Sequence, residues 1–196
     1  IIWIGFSRNS SSNLVKASED ALKAAIETAK PGVEVREIGK AINKVITDAG
    51  LSPIKNLGGH GLGEYQIHTS PSIPNFDNGD KTVLKEGDHI AIEPFATDGS
   101  GVVVEGAGSE VYLFQGKKPI RSLMARKIMK YIETEYEGLP FAKRWIAKKF
   151  TGVNVAFALL ERAGAIYHYP RLVEKKKGMV AQSEHSLIVG GPATTE

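Results

Sequence analysis

Residues 56–63 read Asn56-Leu57-Gly58-Gly59-His60-Gly61-Leu62-Gly63, and the change of texture that begins here decides the fold. Four glycines in eight residues surround one histidine, and glycine lets backbone or ligand approach closely. From Leu57 to Phe114 the chain is rich in glycine, with alternating runs such as His89-Ile90-Ala91-Ile92-Glu93 and a Lys85-Glu86-Gly87-Asp88 turn. That pattern predicts a β-sheet with tight connections. Upstream the period is helical. Leu14, Val15, Leu22, Ala25, Ile26 and Ala29 mark a helix over 13–30, ended by Pro31-Gly32. Val35, Ile38, Ile42, Val45 and Ile46 mark a second, stopped at Gly50. Downstream, 120–136, 140–150 and 154–163 each carry an apolar stripe, and Lys175-Lys176-Lys177-Gly178 predicts a hairpin into the strand-like run 179–189. The fold class is therefore α+β. A main domain over 1–116 and 178–196 is interrupted by a helical insertion over 117–177.

Composition narrows the classes. The chain has 196 residues, is 42% hydrophobic and 24% charged, so it can bury a core. No apolar run approaches the roughly 20 residues that span a bilayer, and we expect a cytoplasmic protein without membrane contact. Ile1 to Phe6 is too short and lacks the flanks of a signal peptide; it reads as the end of a strand. The absence of cysteine excludes disulfide scaffolds, thiolate metal sites and cysteine nucleophiles. Charge is unevenly spread: residues 117–177 hold 15 basic and 5 acidic side chains, net +10, and the remainder is net −7. Such asymmetry suggests a polyanionic neighbour, with a solvated helical face as the plainer reading.

Three residues outline a site. His60, among glycines, suits a metal-ligating imidazole, although a loop histidine without a role fits as well. Glu93, in Ile90-Ala91-Ile92-Glu93-Pro94-Phe95, is costly to bury unless paired or bound to a cation. Glu184 lies in a run where period-two alternation puts Gln182, Glu184 and Ser186 on one face and His185 on the other. One imidazole and two carboxylates suit Zn, Fe, Co or Mn, and bridging carboxylates suit a pair of ions. His68, on the face shared by Glu64 and Gln66, could donate to a substrate carbonyl. His89 and His168 have nothing convergent near them. Gly59-x-Gly61-x-Gly63 has neither the following helix of a dinucleotide fold nor the lysine of a phosphate loop.

In their order, several blocks resemble the type 2 methionine aminopeptidases, especially the archaeal ones. They are Asn56-Leu57-x-Gly59-His60, Ile67-His68, Val83-Leu84-Lys85-Glu86-Gly87-Asp88, Ala91-Ile92-Glu93-Pro94-Phe95-Ala96 and Val180-Ala181-Gln182-x-Glu184-His185. Within the insertion, Leu139-Pro140-Phe141-Ala142-x-Arg144-Trp145 and Ala163-Gly164-Ala165-Ile166-Tyr167-x-Tyr169-Pro170 add to the likeness. The resemblance implies the pita-bread (creatinase/aminopeptidase-like) sheet with flanking helices and a winged-helix-like insertion. It implies His60, Glu93 and Glu184 as ligands of two divalent ions (Co, Mn, Fe or Zn), with Glu93 also helping to activate water. His68 would hydrogen-bond the scissile peptide, and Ile67, Pro140 and Tyr169 would lie near the methionine pocket. The implied activity is removal of N-terminal methionine from nascent polypeptides by a monomeric enzyme; the charge of the basic insertion adds ribosomal RNA as an expected neighbour.

The sequence departs from that family in one respect. The family has two aspartate ligands and a further histidine upstream of the first helix, whereas Ile1 to Ser12 contain no Asp, Glu or His. We therefore expect the chain to be the C-terminal portion of a longer enzyme. The alternative is a non-catalytic pita-bread homologue that binds RNA or ribosomes, resembling the proliferation-associated proteins. A winged-helix nucleic-acid binder would leave the body unexplained.

Overall fold

Helix α2 (Val35–Asp48) shows how the helical layer is made: Val35, Ile38, Ile42 and Ile46 form one apolar stripe and all are buried. In the computed structural model, residues 11–191 are described, so the strand expected over Ile1–Phe6 lies outside them. Helix α1 (Ser11–Thr28) packs against α2. Its buried face is Leu14, Ala17, Ser18, Ala21, Ala25 and Ala29, while Val15 is exposed and Leu22 and Ile26 are only partly covered. The bulky residues that signal the helix are thus not the ones it buries most deeply. Alanine and serine let its backbone come close to the strands below.

Two helices and two small sheets make up the first of two compact units, which takes the described residues up to Val104 and from Leu172 onward. The strands are β1 (Ser52–Pro53), β2 (Gly58–Gly63), β3 (Gln66–Pro74), β4 (His89–Ile92) and β5 (Phe95–Thr97). After β6 (Val103–Phe114), β9 (Val180–Gln182) and β10 (His185–Ile188) complete the set. One sheet has the order β10-β4-β2-β3 and the other β1-β5-β9, with neighbouring strands antiparallel. Ile90, Ile92 and Leu187 bury one sheet face against α1 and α2. Gly59 is required where β2 meets β4, because a Cβ there would lie 2.1 Å from the Ala91 carbonyl oxygen.

The second unit is Glu105–Arg171. It contains α3 (Leu123–Tyr136), β7 (Phe141–Ala142), α4 (Lys143–Ala147), α5 (Val153–Arg162) and most of β6 and β8 (Ile166–Glu174), in a sheet of order β7-β6-β8. Ala125, Ile128, Ile132, Phe141, Phe157 and Leu160 form its own core. The boundary falls at 104/105, whereas charge and helical texture mark 117–177, because the long strand β6 pairs with strands of this unit. The turn 175–178 also differs from the expected hairpin: β8 and β9 lie in different sheets, so the turn moves the chain from one to the other.

That turn is locked by a carboxylate. Glu174 is 4% exposed and accepts from the Ser100 N–H at 2.5 Å, the Lys176 N–H at 2.6 Å and the Gly178 N–H at 2.9 Å. It also accepts from the Ser100 hydroxyl. Burial alone would raise its pKa, but these four donors outweigh burial and hold it at about 2.

Candidate metal centre

The run 179–189, expected as one strand, is broken. β9 ends at Gln182 and β10 starts at His185; likewise β4 ends at Ile92 and β5 starts at Phe95. Pro94 has no N–H to give to a ladder, which interrupts the second line of chain. Ile92 pairs with His185 and Phe95 pairs with Gln182. The register therefore runs unchanged through both breaks, placing Glu93 opposite Glu184 and Pro94 opposite Ser183. The Ser183 N–H donates to the Pro94 carbonyl at 3.2 Å. From the helical layer, the buried Ser18 hydroxyl meets the Ser183 hydroxyl at 2.8 Å.

Two carboxylates directly opposite each other on neighbouring strands repel. Their neighbours are arranged to hold them. The Gln182 side-chain amide donates to Glu93 Oε2 at 2.9 Å and to Glu184 Oε2 at 3.3 Å. His60 pairs with Ala91 on the other side of β4, so it shares a sheet face with Glu93, two residues further on. Its Nε2 lies 2.9 Å from Glu93 Oε1. Burial raises the pKa of Glu184, and the charge of Glu93 raises it further, partly offset by His60. The Glu93 hydrogen bond raises that of His60, against the effect of burial.

His60 Nδ1 lies 3.0 Å from the Gly61 carbonyl oxygen. Donation there assigns the proton to Nδ1 and leaves Nε2 with its lone pair facing a carboxylate oxygen, an arrangement stable only with positive charge between them. A proton serves in the metal-free chain, and a divalent cation serves equally. An imidazole nitrogen and carboxylate oxygens are donors for Zn, Fe, Co or Mn. The residues fit such an ion, although among the described residues no group of three or more His, Asp or Glu closes to hold one. His68 comes beside the centre, its ring 4.3 Å from that of His60 in an edge-to-face contact. Partial burial and the His60 ring lower its pKa, and Glu93 opposes them.

The remaining sequence candidates fall elsewhere. Ile67 is exposed on β3 next to His68. Pro140 and Tyr169 belong to the second unit, where Tyr169 packs edge-on against Tyr167 at 5.0 Å. His89 is exposed. His168, with nothing convergent near it in sequence, is stacked on Tyr112 at 4.2 Å, with its Nε2 2.6 Å from the Ser109 carbonyl oxygen. In the sequence Gln182 stands out through the polar stripe and its place in the block 180–185. Its role as the bridge between both carboxylates follows from its position two residues before Glu184, and that spacing was the available signal.

A sheet backed by two helices, carrying an imidazole and two opposed carboxylates on one face, is the framework of a metallopeptidase. The chain belongs to metallopeptidase family M24, whose match covers residues 1–122, and membership implies a divalent metal. It is 47% identical over 184 residues to the methionine aminopeptidase of Archaeoglobus fulgidus, covering 93% of this chain and 62% of that protein. The chain spans about three-fifths of the length of the curated relatives it matches. Among solved structures, a thermophilic Arx1 aligns with a TM-score of 0.75 at 15% identity, covering 93% of this chain and 56% of that one. The methionine aminopeptidase of Thermotoga maritima aligns with a TM-score of 0.58 at 21% identity, covering 97% and 53%. The fold is the pita-bread fold of this family.

Proposed function

We propose that this chain is the part of a metalloaminopeptidase that carries His60, Glu93 and Glu184 to two divalent ions, and that the enzyme removes N-terminal methionine from nascent polypeptides in the cytoplasm as a monomer. The observation that carries the reading is the pair of carboxylates facing each other beside a backbone-tethered imidazole whose Nε2 lies 2.9 Å from Glu93. When bound, the metal would supply Lewis acidity toward the first peptide carbonyl and lower the pKa of the attacking water. The chain's own residues do the rest. Gln182 holds both carboxylates in place, and Glu93 is the base that takes the proton of the water. His68, its pKa lowered so that it is neutral near pH 7, hydrogen-bonds the scissile peptide. Ile67, next to His68 on β3, receives the methionine side chain.

The test is calorimetric titration of the metal-free chain with Mn²⁺ or Co²⁺. We expect ion uptake that His60→Ala abolishes. Ion uptake indifferent to His60→Ala would overturn the assignment. A second reading, a non-catalytic relative whose basic segment contacts ribosomal RNA, is favoured by the net charge of +10 over residues 117–177. Its mark is ribosome co-sedimentation without ion uptake. Charge reversal at Arg126, Lys127, Arg144 and Lys148 that left co-sedimentation unchanged would remove the RNA contact.

A further inference from the structure

Lys16, Lys23, Arg36, Lys40 and Lys44 of the first unit lie in ion pairs with neighbouring carboxylates, as does Lys117 of the second with Glu133. In the second, Glu105–Arg171 carries 12 basic and 6 acidic residues. From Gly138 to Leu160 there are four cations, Lys143, Arg144, Lys148 and Lys149, and no carboxylate. None of the four is ion-paired among the described residues. Glu135 acts on Lys149 only from beyond ion-pair distance.

These charges are concentrated on one short helix and its continuation. Arg144 and Lys148 lie one turn apart, as do Trp145 and Lys149, and all four are exposed, while Ile146 points into the core. Trp145 is 43% exposed, and the Arg144 guanidinium lies over its ring, 5.8 Å from the centroid, where it would sandwich or give way to an incoming base. On the inner side begins a column of nearly parallel rings. Trp145 stacks on Tyr136 at 6.0 Å, Tyr136 on Phe141 at 5.0 Å, Phe141 on Tyr112 at 6.2 Å, and Tyr112 on His168 at 4.2 Å. Tyr112 and Phe141 are buried, Tyr136 and His168 are partly exposed, and the column ends at the surface in Trp145. Lys149 lies over the Tyr131 ring at 4.7 Å, beside the same end.

We propose that the α4 face formed by Arg144, Trp145, Lys148 and Lys149 binds single-stranded RNA, with an unpaired base stacked on Trp145 and the flanking phosphates on the four-cation cluster of α4. The cluster lacks an internal counter-anion, so a phosphate backbone neutralises it at little cost. A flat base extends a stack whose inner members are already ordered, so little further ordering is needed on binding. A duplex keeps its bases inside and gains nothing from Trp145. An acidic peptide matches the charge but offers no stacking face to the indole. The proposal narrows the RNA-contact reading of the basic segment to one face and to unpaired nucleotides, and it does not depend on the peptidase reading.

The test is fluorescence anisotropy with a 5′-labelled 12-nucleotide oligouridylate and the full chain, over a series of KCl concentrations. Trp145→Ala is expected to weaken binding roughly 5- to 150-fold, the range for losing one base–aromatic stack. Trp145→Phe is expected to retain most of the affinity, which separates loss of stacking from loss of fold, with circular dichroism as the check on both variants. Neutralising Arg144 and Lys148 to Gln should reduce the slope of log K against log salt by about 1.4. Equal affinity for a duplex of the same length overturns the proposal, as does indifference to Trp145→Ala. Displacement by polyglutamate at matched charge also overturns it, in favour of an acidic-peptide partner. Ribosome co-sedimentation that survives any of these results would leave the broader RNA contact standing with this face removed from it.

Discussion

At the scale of single residues, the centre is built on a conflict between two facing carboxylates. Glu93 and Glu184 face each other, and the one neutral donor between them is the Gln182 amide. Glu184→Gln removes one of two opposed charges, so the metal-free chain should gain about 0.2–1 kcal/mol in stability, read from its urea midpoint. The same variant should lose ion uptake. Gln182→Leu leaves the proposed ligands intact but frees both carboxylates to rotate, and ion affinity should fall about 10- to 100-fold by calorimetry. Glu174 carries the opposite sign of effect. Its folded pKa of about 2 lies below the ordinary 4.5, so its contribution is fully present above pH 4.5 and is lost as pH falls through 2. That depression corresponds to about 3 kcal/mol. Glu174→Gln should therefore lower stability by that order at pH 7 and flatten the acid limb of a stability–pH curve.

Among the secondary-structure elements, what matters is how closely strands and helices approach. β2 meets β4 at Gly59, where a Cβ would lie 2.1 Å from the Ala91 oxygen. Neither atom belongs to a flexible side chain, so the strands themselves must move. Gly59→Ala should cost about 1–3 kcal/mol and separate His60 from Glu93. The nitrogen chemical shifts of His60 would report it, the imidazole losing its carboxylate partner and titrating at lower pH than in the parent. The breaks at Glu93-Pro94 and Ser183-Glu184 belong to this scale too. Each places a carboxylate where the chain leaves one sheet for another, and the Ser18–Ser183 contact ties that point to α1.

For the whole molecule, charge is the dominant feature. A segment of net +10 is joined to a remainder of net −7 within one chain of net +3. Chains of this kind attract one another, basic segment to acidic body, when salt is low. Light scattering should show a second virial coefficient that rises as salt is added from about 10 mM to 150 mM, over which the Debye length falls from about 30 Å to about 8 Å. A coefficient that falls with salt would mean that the net charge governs, and not its distribution.

Much of this was legible in the sequence, because it depends on local period and residue type. The stripe of α2, the change from helical to strand texture near Leu57, the basic segment, and His60, Glu93 and Glu184 as candidates could all be read from spacing and composition. Their family likeness could be read from the order of their blocks. What spacing could not supply was pairing. His60, Glu93 and Glu184 are far apart along the chain, and their meeting depends on a register set by hydrogen bonds between β2, β4 and β10. The same holds for the small-residue face of α1, whose burial follows from how near the helix lies to the strands. It holds also for the ring column ending at Trp145, whose members come from α3, α4, β6, β7 and β8. Periodicity reports which side of an element faces inward; the element it meets is decided by packing among distant parts of the chain.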